Sequence, residues 1–230
     1  MKYLLLLGLF FCLSCSAQTK TYVVKKTAKD ILITGDGTDE DWANANILTG
    51  FLHPWEPEGL PATTFRGLWS DTHFYFLYHV EDAEIITPQS GLGELDAVES
   101  DRVEIFFKTD NVAEPYYSLE MDALGRCLDS KGIFGGKVDF DWDWPKDDFV
   151  LKSKIIDGGY IVEGSVSLAS LRDLGIYKGD GVLNAGLYRG EYYHKEADDI
   201  AIKWISWVVA NPDKPNFHVP GSFGILELEK

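Results

Sequence analysis

The chain alternates apolar and polar positions with a period of two over most of its length, which predicts strands and few helices. The clearest case is Glu99 to Lys108, E-S-D-R-V-E-I-F-F-K. Val103, Ile105 and Phe107 fall on one side of an extended chain, and Arg102, Glu104, Phe106 and Lys108 on the other. One side enters a core; the other carries a cation, an anion and a ring. Two readings fit that second side: a ligand groove, or a solvated face of an antiparallel sheet. Tyr116 to Asp122 repeats the pattern, with Tyr117, Leu119 and Met121 backed by Tyr116, Ser118, Glu120 and Asp122. If these strands pair, Glu104 and Glu120 share a surface, where two carboxylates require a cation, a shared proton or hydroxyl donors.

The same reading predicts a hairpin over Thr63–Ser70 and His73–Val80, and a second over Phe149–Ile156 and Gly159–Ser167 around Asp157-Gly158. Strands are expected at Thr21–Lys29 (an edge), Ile31–Thr34, Gly181–Glu191 and Ile200–Val209, with a final strand after Gly224. Asp39–Ala45 opens a helical turn with Trp42 inward, and Leu168–Leu174 forms a short helix. Lys131–Asp148 and the proline-rich Phe51–Ala62 around Trp55 read as loops. Arg66 and Trp69 have opposite parity, so only one of them can face the side of Glu104. Trp204 and Trp207 also face opposite ways; Trp207 and Trp69 read as core, Phe217 and His218 as surface.

Composition narrows the class. The 230 residues are 45% hydrophobic and 13% aromatic, with 22 glycines and 2 methionines, which suits one all-β domain, a sandwich or barrel. A net charge of -16 disfavours nucleic acid and anionic membranes and suits a neutral, cationic or calcium-bridged ligand. Met1–Ala17 reads as a sorting leader: Lys2, then an apolar run from Leu4 to Leu13 too short to span a bilayer. Cys15-Ser16-Ala17 resembles a signal-peptidase site and Leu13-Ser14-Cys15 a lipobox that would make Cys15 a lipid anchor. Either exit places residues 18–230 outside the cytoplasm of a bacterium, periplasmic, outer-membrane-anchored or secreted. Of the three cysteines only Cys127 lies beyond the leader, so a disulfide or a cysteine zinc site is excluded there. Asp36, Asp39, Glu40 and Asp41 offer oxygen ligands for calcium or, as the competing reading, caps for a short helix.

Six stretches in register resemble the family 9 carbohydrate-binding modules and their DOMON-like relatives: I-T-G-D-G-T-D-E-D-W-A-N-A, L-W-S-D-T-H-F-Y-F-L-Y-H-V-E-D, D-R-V-E-I-F-F, Y-Y-S-L-E-M-D-A-L-G, G-G-Y-I-V-E-G-S-V-S-L-A-S-L and F-H-V-P-G-S-F-G-I-L-E-L. The resemblance spans Ile31 to Leu228. It implies an antiparallel β-sandwich with a few short helices, binding an oligo- or polysaccharide between aromatic rings, aided by polar groups and structural calcium. Its members hold glycan near enzymes of polysaccharide breakdown such as xylanases. By position, Glu104 matches the signature glutamate, and Phe217 one sandwiching ring, as Phe in place of Trp. The second ring has no counterpart in Leu95-Asp96-Ala97-Val98, nor the family arginine at Ser118 or Glu120. The candidate ligand-binding set is therefore Glu104, Arg102, Glu120, Arg66, Arg189, Trp55, Trp207, Phe217 and His218, with Trp142 or Trp144 as further candidate walls and Asp36, Asp39 and Asp41 for calcium. Two other functions compete: a glycoside hydrolase using Glu104 and Glu120 as an acid–base pair, and a DOMON-type haem protein ligated by Met121 and His218.

Overall fold

The computed structural model describes residues 20–53, 55, 61–196, 199–209 and 214–230. The leader, Cys15 and most of the loop around Trp55 lie outside these. Twelve strands carry the fold: β1 Thr21–Lys26, β2 Thr63–Trp69, β3 His73–Glu81, β4 Arg102–Lys108, β5 Tyr116–Asp122, β6 Cys127–Gly132, β7 Val138–Asp139, β8 Phe149–Ile156, β9 Gly159–Ser167, β10 Val182–Glu196, β11 Asp199–Ser206 and β12 Gly224–Leu228. Two short helices, α1 Leu95–Val98 and α2 Leu168–Asp173, and two 3-10 turns complete the described elements.

The strands run in the order β7-β6-β5-β4-β10-β12-β1-β2-β3-β9-β8, with β11 on β10 beside β12. This is a sandwich of two sheets that share β1. Thr21–Val24 pair in parallel with Ile225–Leu228, and Lys25 and Lys26 in parallel with Leu68 and Trp69. The expected edge strand is thus the seam between the sheets, and the antiparallel sandwich contains two parallel pairings. Chain alternation forces the rest. Val103, Ile105, Phe107, Leu119 and Met121 from one sheet meet Phe65, Phe74, Phe76, Tyr78 and Val162 from the other in the main core.

Four local expectations differ from the structure. Ile31–Thr34 forms no strand: Ile31 and Ile33 pack with Trp42, Leu68, Tyr75 and Leu77 on the outer face of the second sheet, while the backbone N–H groups of Thr34, Gly35 and Gly37 donate to the buried carboxylate of Glu163. The stretch after Asp122 holds β6, missed because Leu-Asp-Ser-Lys-Gly carries weak strand residues. The expected loop Lys131–Asp148 contains the end of β6 and the two-residue β7. Trp142 and Trp144 are not groove walls: both pack on Tyr117, and Trp144 is buried in the main core.

Candidate functional site

The outer face of the first sheet carries the groove. In register across the sheet, Tyr188, Glu104 and Glu120 form one row, and Trp204, Gly190 and Arg102 the next. Glycine at 190 leaves that rung without a side chain: a Cβ there would stand 3.0 Å from Arg102 Nη1. Through this gap the Arg102 guanidinium lies over the Trp204 ring, 5.3 Å from its centroid. Gly186 does the same for Tyr188, whose ring crosses a space that any Cβ would fill. Phe217 then stacks on Tyr188, with centroids 4.1 Å apart and planes 11° apart, and meets Trp204 edge-on at 5.4 Å.

Above these rows opens a cavity of about 300 Å³ lined by Val98, Arg102, Glu104, Glu120, Phe140, Trp204, Pro215, Asn216, Phe217 and His218. Arg102 donates from Nε to Glu120 Oε2 at 3.1 Å and from Nη1 to the Val98 carbonyl at 2.6 Å. Glu104 Oε1 lies 2.9 Å from the same Nε, but that single N–H is aimed at Glu120, so this buried oxygen has no hydrogen-bond donor. Burial pushes Glu104 up to about 8, against the pull of Arg102 and with the push of Glu120; burial also raises Glu120. One buried cation cannot balance two carboxylates, so the pair retains a proton into the neutral range. His218, at the rim, shares a hydrogen bond with the Tyr116 hydroxyl at 2.7 Å.

Of the residues expected here, the structure brings together Glu104, Arg102, Glu120, Phe217 and His218. Trp55 sits beside them, its ring 6.5 Å from that of Phe217. Phe217 is buried, one face covered by Tyr188, where a surface ring was expected. Three residues lie elsewhere. Arg66 is on the outer face of the other sheet, because its parity matches Leu68 and opposes the core residue Phe65. Trp207 is core. Arg189 pairs with Val103, so it points between the sheets. The residues that sequence reasoning missed are Trp204 and Phe140. For Trp204 the signal was present in its opposite parity to Trp207; for Phe140, in an irregular loop, there was none.

Arg189 belongs to a second, closed cluster. Asp82, Asp101 and Glu191 are buried, with one oxygen from each within 4.8 Å of the others. Arg189 Nη2 contacts Glu191 Oε2 and stands 3.7 Å from Asp82 Oδ2, which has no hydrogen-bond partner. Asp101 accepts from the Ile86 and Tyr192 backbones. Three carboxylates against one guanidinium leave two negative charges, and the donors are all hard oxygens, so the set fits a calcium ion in charge and type. The loop aspartates do other work. Asp36 accepts from Thr34 and Thr38, which hold its pKa low; Asp39 caps the turn at Asp41, and Asp41 accepts from Thr27. The thiol of Cys127 is free and burial pushes its pKa well up, away from reactivity.

Comparison with known proteins agrees with this geometry. The family described as carbohydrate family 9 binding domain-like matches residues 33–230. The chain belongs to that family. Among solved structures, a candidate carbohydrate-binding protein from Bacteroides uniformis ATCC 8492 is similar with a TM-score of 0.71 at 18% identity, over 92% of this chain and 100% of that one. A family 9 carbohydrate-binding module from Caldicellulosiruptor kristjanssonii is similar in its glucose complex (TM-score 0.60, 18% identity, 91% of this chain, 96% of that one) and its cellotriose complex (0.58, 17%, 91% and 94%). These likenesses carry the fold. No curated protein matches the chain. Among the described residues no helix is long and apolar enough to cross a membrane.

Proposed function

We propose that the protein binds a saccharide, without catalysis, in the cavity above Glu104. The observation that carries this is the donorless Glu104 Oε1, buried on the floor of a ring-walled cavity. A carboxyl oxygen in that position exchanges a hydrogen bond with a hydroxyl, and a pyranose brings hydroxyls at its rim and a C–H face to stack on Trp204. Family membership and the saccharide complexes of similar structures support the same reading. A hydrolytic pair is disfavoured because Glu104 and Glu120 both converge on Arg102 and are not set apart as acid and base. A haem ligated by Met121 and His218 is excluded, since Met121 is inside the sandwich and His218 outside it.

Titration calorimetry against a panel of neutral saccharides tests the reading. Glu104→Gln should weaken binding by up to about tenfold, the range of one neutral hydrogen bond, and Trp204→Ala by up to about tenfold. Unchanged affinity in both variants would reject the site. The calcium implied by the family is assigned to Asp82, Asp101 and Glu191, where it would fix the β3–β4 connection against β10. The leader pattern supports export, with Cys15 as the candidate anchor.

A further inference from the structure

The outer face of the first sheet holds another hollow, which saccharide binding above Glu104 leaves unused. One step past Phe106 on that face, Lys108 on β4 pairs with Asn184 on β10, and Asn184 with Ile225 on β12. This rung floors a cavity of about 540 Å³ at the place where β11 gives way to β12 alongside β10. Leu52, Val208, Val209, Pro220 and Phe223 wall it, and Lys20 enters from just ahead of β1. Among the described residues none lines both this cavity and that of Glu104. Pro215, Asn216, Phe217 and His218 border the first, and Pro220, Gly221 and Phe223 the second, so one loop partitions them.

The charge of the hollow opposes that of the molecule. In a chain of net charge -16, Lys20 and Lys108 are the only charged side chains among its lining residues. Lys20 Nζ donates to the Trp207 carbonyl at 2.6 Å, which leaves two of its three N–H groups free. Lys108 Nζ lies over the Phe223 ring, 5.8 Å from its centroid, and among the described residues it forms no ion pair or hydrogen bond. The neighbouring carboxylate of Asp110 is engaged by Lys178 and Asn184. Burial lowers the pKa of both lining lysines, as it does for ammonium groups short of an anion.

We propose that this cavity binds an organic carboxylate, its head held by Lys20 and Lys108 and its apolar body set against Leu52, Val208 and Phe223. The two ammonium groups supply charge-assisted N–H bonds to the head. The walls bury the body and offer no hydroxyl to solvate a small hydrated anion. A dianion such as phosphate would bring more charge to an acidic surface and find only the Asn184 amide as a further side-chain donor. The site stands or falls apart from the Glu104 cavity.

Titration calorimetry of the intact chain at low ionic strength, with phenylacetate and octanoate as probes and inorganic phosphate and octanol as controls, decides the matter. At least one carboxylate should bind at least about tenfold more tightly than either control, and its affinity should fall as salt rises. Tighter phenylacetate would assign an aromatic body and tighter octanoate an aliphatic one, and either supports the site. Lys108→Met keeps the stem over Phe223 and should weaken the carboxylate severalfold at unchanged Tm; Lys108→Arg should retain it, and Lys20→Met should weaken it to a similar degree. The proposal is overturned if neither carboxylate binds at millimolar concentration, or if octanol or phosphate binds as well as they do. Unchanged carboxylate affinity in both methionine variants would overturn it too.

Discussion

Two arginines sit one rung apart on adjacent strands and have opposite fates. Arg102 on β4 faces outward with Glu104 and Glu120; Arg189 on β10 faces inward with Asp82, Asp101 and Glu191. Each is almost fully buried and each meets more carboxylate than it can neutralise. What separates them is parity: a shift of one residue sends a strand side chain to the other face of the sheet. Outside, the unmet acceptor opens on a cavity and awaits a donor from solution. Inside, the excess charge is sealed between sheets, where burial raises Asp101 to about 8 and Glu191 to about 7, so a proton or a cation balances it. The same imbalance leaves an acceptor open to a cavity in one place and a closed charge cluster in the other.

The sharpest break of this comparison is Arg189→Met. Removing the cation leaves buried carboxylates uncompensated and should destabilise the fold by about 3–5 kcal/mol, read as a lower denaturation midpoint, while saccharide affinity of the folded fraction holds. A comparable loss of affinity would mean the two clusters are one site. Next, calcium at about a hundred times its dissociation constant should add about 2.7 kcal/mol and raise Tm. Asp82→Asn should abolish that gain, and Glu104→Gln should keep it. The smallest effect concerns the open cluster. Because burial raises Glu104 above its unfolded value, the folded chain holds a proton that the unfolded chain has released between the ordinary carboxylate range and about pH 8. Stability from this group is full below that window and falls as pH rises through it. Glu104→Gln should flatten that part of the slope in chemical denaturation.

Period-two alternation made β4, β5, both hairpins and the Glu104–Glu120 pairing legible, because a buried face leaves register little freedom. It could not say which sheet a residue joins. Arg66 joins the other sheet through its pairing with β3, and the inward face of Arg189 follows only from the long-range pairing of β10 with β4, across about eighty intervening positions. Trp204 against Trp207 was a matter of which face is inside, and parity alone leaves that sign open. The acidic loop at Asp36–Asp41 has a partner that alternation could not reveal. Its backbone N–H groups fold around Glu163, distant in sequence, so the loop binds an anion with its main chain while displaying anions on its side chains.

The seam at β1 has a mechanical consequence. This strand lies parallel to β12, with Thr21 beside Ile225 and Val24 beside Leu228. A tug ahead of Thr21 opposed by one beyond Leu228 would slide the pair lengthwise, loading every rung together instead of peeling them off in turn. Traction applied through those two ends would thus meet a joint loaded in shear.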